Sequence, residues 1–270
     1  MIPLRDNVPS RTTPFVNYAI ILICALTFYA QLRQGPHEKS LIEQYGMIPA
    51  RVNNPGQEIR VPHQRLIQTP FGIQLKRVMR PAAESPLGAS ATLLTCIFLH
   101  GGWMHFLGNM WFLFIFGDNV EDRFGHLGYL LFYLAAGVAA SATHLEVNAF
   151  SPIPTIGASG AVAGVMGAYM YLYPRANVVT LVPIFVFLQI LVLPAPLFLG
   201  IWFVMQFFQG VATISTNESS GVAWWAHIGG FVVGLIVALV LGRAHILKPV
   251  VRTVRPQTDR ITSYRVYPRR

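Results

Sequence analysis

Apolar runs of membrane length, separated by short polar turns and one long polar segment, divide the chain. The first, PFVNYAIILICALTFYAQL from Pro14 to Leu32, is long enough to cross a hydrocarbon core of about 30 Å as a helix and too long for a signal-peptide core. Residues 33–88 are polar and rich in proline, with short apolar clusters and no sustained periodicity, so an outer loop packed on the membrane surface is expected. Residues 91–117 are apolar apart from one polar knot, HGGWMHFLGN, and a charged turn, GDNVEDRFG, leads to a third run over 126–146. The fourth, GASGAVAGVMGAYMYLY over 157–173, spans about 26 Å as a helix and is stopped by Pro174 and Arg175. A fifth span is expected over 195–213 and a sixth over 222–242. The run VVTLVPIFVFLQILVL between the fourth and fifth is broken by Pro183 and reads as an interfacial or re-entrant approach, with a seventh span as the competing reading. The pattern predicts an all-α membrane bundle of six transmembrane helices: a terminal segment at 1–13, the membrane domain at 14–242 and a basic tail at 243–270.

Composition strengthens this reading. Of the 270 residues 53% are hydrophobic and 11% charged, where a soluble globular chain carries about 25% charged residues. The net charge of +9 gathers in the tail, at Arg243, Lys248, Arg252, Arg255, Arg260, Arg265, Arg269 and Arg270. A polybasic stretch beside a span meets anionic lipid, so the expected partner is the bilayer and not nucleic acid. Cys24 and Cys96 both lie inside apolar runs and imply no disulfide framework. No metal site and no cofactor are expected. Lys or Arg occurs in 1–13, 118–125, 174–176 and the tail but not in 147–156 or 214–221, which places both termini in the cytoplasm, with the cell membrane as the expected location.

The candidate chemistry lies inside the spans, where polar side chains are costly and mark function by default. Ser159 sits in the first turn of the fourth helix between Gly157 and Gly160, and Gly160, Gly164 and Gly167 give that helix a face of close approach. His227 lies near the start of the sixth, with Gly230 and Gly234 one and two turns on along the same face. His105 and Asn109, four residues apart, share a face of the second helix. The second, fourth and sixth helices run in one direction, so Asn109, Ser159 and His227 are expected at one depth, near the outer face. A serine hydroxyl needs a base, and a neutral imidazole is the usual one near pH 7. Attack on an amide creates an oxyanion, for which the His105 and Asn109 side chains and the Ser159 N–H are candidate donors. No acidic residue occurs in the spans to orient the histidine, so a Ser-His dyad is expected. The alternatives are a non-catalytic scaffold that grips membrane helices, and a transporter using His100, His105, His144 and His227 as a proton relay. A zinc protease lacks its H-E-x-x-H.

Four motifs in order resemble the rhomboid intramembrane serine proteases: HGGWMHFLGN as the oxyanion segment, Glu121, Arg123 and Gly125 as a structural E-x-R-x-G, GASG around Ser159 as the nucleophile motif, and AHIGGFVVG around His227 as the base helix. The resemblance implies a six-helix fold, a Ser159–His227 dyad, and cleavage of a single-pass membrane protein in or just outside its membrane helix. It also implies substrate entry between the second and fifth helices, with 214–221 as a movable cap. Two positions depart from the pattern. Ala163 stands where some members place an aromatic ring under the histidine, and the long loop has no tryptophan.

Overall fold

In the computed structural model residues 1–35, 40–69, 72–184, 187–216 and 222–249 are described. Strand β1 (Ile2–Asp6) precedes helix α1 (Phe15–Arg33), followed by short helices α2 (Leu41–Tyr45) and α3 (Pro49–Asn53) and a hairpin of β2 (Arg60–Thr69) and β3 (Gly72–Pro81). A single turn, α4 (Thr92–Thr95), leads to α5 (Trp103–Phe124) and α6 (His126–Val147). Then come α7 (Ser159–Leu172), strands β4 (Asn177–Ile184) and β5 (Phe187–Pro194), α8 (Ala195–Thr216) and α9 (Trp224–Arg243).

The six long helices form the bundle. Among the described residues α1, α6, α8 and α9 are long and apolar enough to cross a membrane. The other two differ for separate reasons. α5 carries Asp118, Glu121, Asp122 and Arg123 in its last turns, and α7 has 14 residues, about 21 Å at 1.5 Å per residue. That is shorter than the 157–173 span expected. α7 is packed against α5, α6, α8 and α9, and all its residues but Ser159, Met170 and Tyr171 are buried, so it has no lipid thickness to match.

Glycine sets how closely α7 and α9 approach. A Cβ on Gly230 would lie 2.0 Å from the Gly160 carbonyl oxygen, one on Gly234 1.9 Å from that of Gly164, and one on Gly167 2.1 Å from that of Phe231. The two helices therefore run parallel with backbones touching, as small residues permit where no hydrophobic force drives helices together in lipid.

One end of the bundle gathers β1, the segment before α1 and the stretch just after α9. Asp122 accepts the backbone N–H groups of Arg11 and Thr12, Tyr169 and Asn119 donate to Asp6, and Lys248 N–H donates to the Arg123 carbonyl. The E-x-R-x-G segment is the joint. Glu121, its side chain fully buried, accepts the N–H groups of Val16 at 3.1 Å and Asn17 at 2.8 Å, so it caps the free donors of α1 at the positive end of that helix's dipole. Its Oε1 also meets His126 Nδ1 at 2.5 Å, and Arg123 donates to the Lys248 carbonyl. Gly125, at φ +74, makes the turn into α6. Glu121→Ala is expected to cost about 2 kcal/mol or more, seen as a lower melting temperature in detergent, because one buried and one part-buried donor lose their acceptor.

Five strands outside the bundle were not legible in the sequence pattern. The run after α7 forms no seventh helix and no re-entrant helix: Asn177–Pro194 is a hairpin whose β4 also pairs antiparallel with β1. Its Val, Ile, Phe and Leu residues suit a pleated strand, and Pro183 lies beyond the stretch that β1 covers, which ends at the Ile2–Leu181 pair. The described part of the 33–88 loop is likewise ordered. Arg80 pairs with Glu43 at 2.6 Å, Arg51 donates to the carbonyls of Glu43, Gly46 and Ala83, and Ile48, Ala50 and Val61 form a small core of their own. It docks without a tryptophan, through backbone pairing of Met47 with Thr155 and a bond from Thr95 Oγ1 to the Tyr45 carbonyl. Residues 217–221 of the expected cap and 250–270 of the basic tail lie outside the described residues.

Candidate active site

The stretch before α7 is pinned at the end of the bundle opposite β1. Thr155 exchanges backbone bonds with Met47, and Gly157 N–H donates to the Cys96 carbonyl at 2.9 Å. Gly157 has φ +128, a left-handed conformation that L side chains resist, and a Cβ there would lie 2.6 Å from Cε1 and Nε2 of His105. The same point is 3.5 Å from Ser159 Oγ. Glycine at 157 thus leaves a small space bounded by the imidazole of α5 and the hydroxyl of α7. Ser159 is the first residue of α7, half-buried, and its N–H is one of the helix's free donors.

His227 arrives from α9, one turn before the Gly230 contact with Gly160. Its Nε2 lies 2.8 Å from Ser159 Oγ, and the residue is 8% exposed. The seam of glycines explains this pairing: backbones that touch at Gly160 and Gly230 bring together Ser159, the residue before Gly160, and His227, one turn before Gly230. His105 Nδ1 accepts the Gly101 N–H at 3.3 Å, so its ring proton sits on Nε2, toward the space beside Gly157. Asn109, one turn further along α5, is buried, and its Nδ2 has no protein acceptor. Free donors on α5 and a hydroxyl–imidazole pair on α7 and α9 occupy the same end of the bundle.

Of the other histidines in the relay reading, neither His100 nor His144 hydrogen-bonds to this pair. His100 is buried, its backbone N–H and carbonyl are both bonded by the Gln31 side chain, and its ring meets that of His105 edge-on at 5.4 Å. His144 has Asn148 Nδ2 at 3.5 Å from its Nδ1. Among the described residues no cluster of His, Cys, Asp and Glu could hold a metal ion.

Residues 88–244 match the family model described as "Rhomboid domain". The chain belongs to the rhomboid family. The match takes in α5 to α9, and so every residue of the site just described. This rhomboid is an integral membrane protein, and its family consists in general of serine proteases. It is 34% identical over 150 residues to the Rhomboid protease GluP of Bacillus subtilis (strain 168), covering 56% of this chain and 26% of that one. It is 30% identical over 189 residues to RHOMBOID-like protein 4 of Arabidopsis thaliana, covering 67% and 40%. With Rhomboid-like protein 11, chloroplastic, of Arabidopsis thaliana it shares 43% over 74 residues, covering 26% and 25%. The matched region spans less than half the length of each of these relatives.

Three residues beside the imidazole escaped the sequence reading, among them Trp224 of α9, whose ring meets that of His227 edge-on at 6.0 Å. Gln206 of α8, 8% exposed, places Oε1 2.7 Å from His227 Nδ1. Trp202, one turn earlier on α8, lies alongside the imidazole with ring centroids 5.9 Å apart. The signal was available, since Gln206 and Gln209 are polar residues inside an otherwise apolar span. Only the packing of α8 against α9 distinguishes the one that faces His227.

Proposed function

We propose that this rhomboid is an intramembrane serine endopeptidase that cuts single-pass membrane proteins through an acyl-enzyme. The contact that carries the reading is the Ser159 hydroxyl against His227 Nε2 at 2.8 Å, in a site set among membrane helices. In the forward step His227 Nε2 takes the hydroxyl proton as Oγ attacks the substrate carbonyl. The oxyanion formed accepts hydrogen bonds from the Ser159 N–H, Asn109 Nδ2 and His105 Nε2, donors fixed before the charge develops. As the intermediate collapses, His227 gives its proton to the departing amine and the substrate acyl group remains on Ser159 as an ester. Water, deprotonated by His227, attacks that ester, and the serine leaves with the proton returned.

A peptide bond inside a helix is closed to attack, so substrate must unwind locally, which favours Gly, Pro or polar residues near the cut. Entry between α5 and α8 fits the packing. Their aromatic contacts, Phe112 and Phe116 on α5 with Phe198 on α8, lie toward the end away from Ser159. The termini lie in the cytoplasm and the site opens near the outer face of the cell membrane.

The test is reconstitution in liposomes with a single-pass substrate and mass spectrometry of the products. A cut within or just outside the substrate's membrane helix supports the reading, and intact substrate across a panel with Gly, Pro or polar residues near the outer face overturns it. Asn109→Ala is expected to slow cleavage by about 10² or less, the loss of one oxyanion donor.

A further inference from the structure

The base of this site is held from α8, and that contact reaches beyond the Ser159–His227 pair. Ala163, one turn on from Ser159, ends at a methyl group and gives the imidazole neither a ring nor a hydrogen bond. Trp224, one turn earlier on α9, meets the imidazole edge-on at 6.0 Å, and two further contacts come from α8. Gln206 Oε1 lies 2.7 Å from Nδ1, and Trp202 lies along the ring at 5.9 Å, tilted by 35°. Both contacts come from the same face of α8, one helical turn apart.

The chemistry of the contact is selective. A neutral imidazole carries one N–H, and a carbonyl oxygen facing Nδ1 is satisfied only if the proton sits there. The Nε2 lone pair is then left for the Ser159 hydroxyl, which is the tautomer a general base needs. The opposite tautomer would set the Nε2 proton against that hydroxyl and a bare Nδ1 against the amide oxygen.

We propose that Gln206 is the positioning residue for His227, fixing the Nδ1–H tautomer and the ring orientation, so that the Ser159–His227 dyad works with a pre-oriented base. The proposal rests on the protease reading above. The amide does from α8 what a carboxylate does in a Ser-His-Asp triad, without placing a charge beside the imidazole. Since Gln206 belongs to α8 and His227 to α9, the contact lasts only while those helices stay docked.

Gln206→Met keeps the length of the side chain and removes the acceptor; Gln206→Glu keeps the acceptor and adds charge. In liposomes the Met variant is expected to lose about 10-fold to 10²-fold in kcat with KM within twofold of the parent. The Glu variant is expected to retain most of kcat and to move the acid limb of the pH profile upward, because a carboxylate at Nδ1 favours the imidazolium, which must lose its proton before it acts as base. Independently of turnover, 15N spectra of the His227 ring should show a single Nδ1–H tautomer in the parent and a mixture in Gln206→Met. An unchanged tautomer together with parental kcat in the Met variant overturns the proposal. A parent that shows the tautomer but hydrolyses no membrane substrate strikes the protease reading instead.

Discussion

Ser159→Ala and His227→Ala should each bring cleavage of a membrane substrate to background, a loss on the order of 10⁴-fold or more, while the protein keeps its melting temperature within a few degrees. The two losses should be alike and should not add, because nucleophile and base act as one unit across a 2.8 Å contact. The fold is expected to tolerate both changes. Ser159 is half-buried at the mouth of α7, and His227 sits one turn outside the glycine contacts that hold α7 to α9. Cleavage rates in liposomes and thermal melts in detergent read the two halves of this expectation separately. A His227→Ala protein that still cuts at a tenth of the parental rate would mean that another group takes the serine proton.

The second large effect lies two turns from the chemistry. Gly234→Leu should leave little folded protein, and Gly234→Ala should fold with a cost of about 1–3 kcal/mol. Even a methyl group there would lie 1.9 Å from the Gly164 carbonyl oxygen, which is backbone and cannot rotate away, so the helices must part. A separation of about 1 Å transmitted to the Ser159–His227 contact is expected to slow cleavage by about 10². Gly200 on α8 provides the control: a Cβ there has nothing within 4 Å, so Gly200→Ala should leave melting and cleavage unchanged. If Gly234→Ala cleaves at the parental rate, the seam is packing alone and does not set the dyad's distance.

How much of this could be read from sequence depended on whether a local pattern decided the outcome. The glycines of α7 and α9 announce a close helix contact by their spacing, and that spacing also fixes which face Ser159 and His227 share. That Ser159 and His227 meet at one end of the bundle followed from counting spans. The length of α7 did not follow, because an apolar run tells nothing of whether lipid or other helices surround it, and α7 is sheathed by its neighbours. The run 177–193 is apolar on both faces, so neither a period of 2 nor one of 3.6 declares itself, and pairing with β1 from the far end of the chain decides for strand. Gln206 was passed over because its partner is a histidine 21 positions away on another helix. The outer loop docks by backbone pairing between Met47 and Thr155, which leaves no mark on side-chain identity.

The central claim is that His227 makes Ser159 a nucleophile within the membrane. Reaction of the reconstituted protein with a fluorophosphonate, followed by peptide mapping, tests it most directly. One phosphonyl adduct on Ser159, absent in Ser159→Ala and lost in His227→Ala, is the predicted result; no adduct in the parent, or a Ser159 adduct formed as fast without His227, would contradict it.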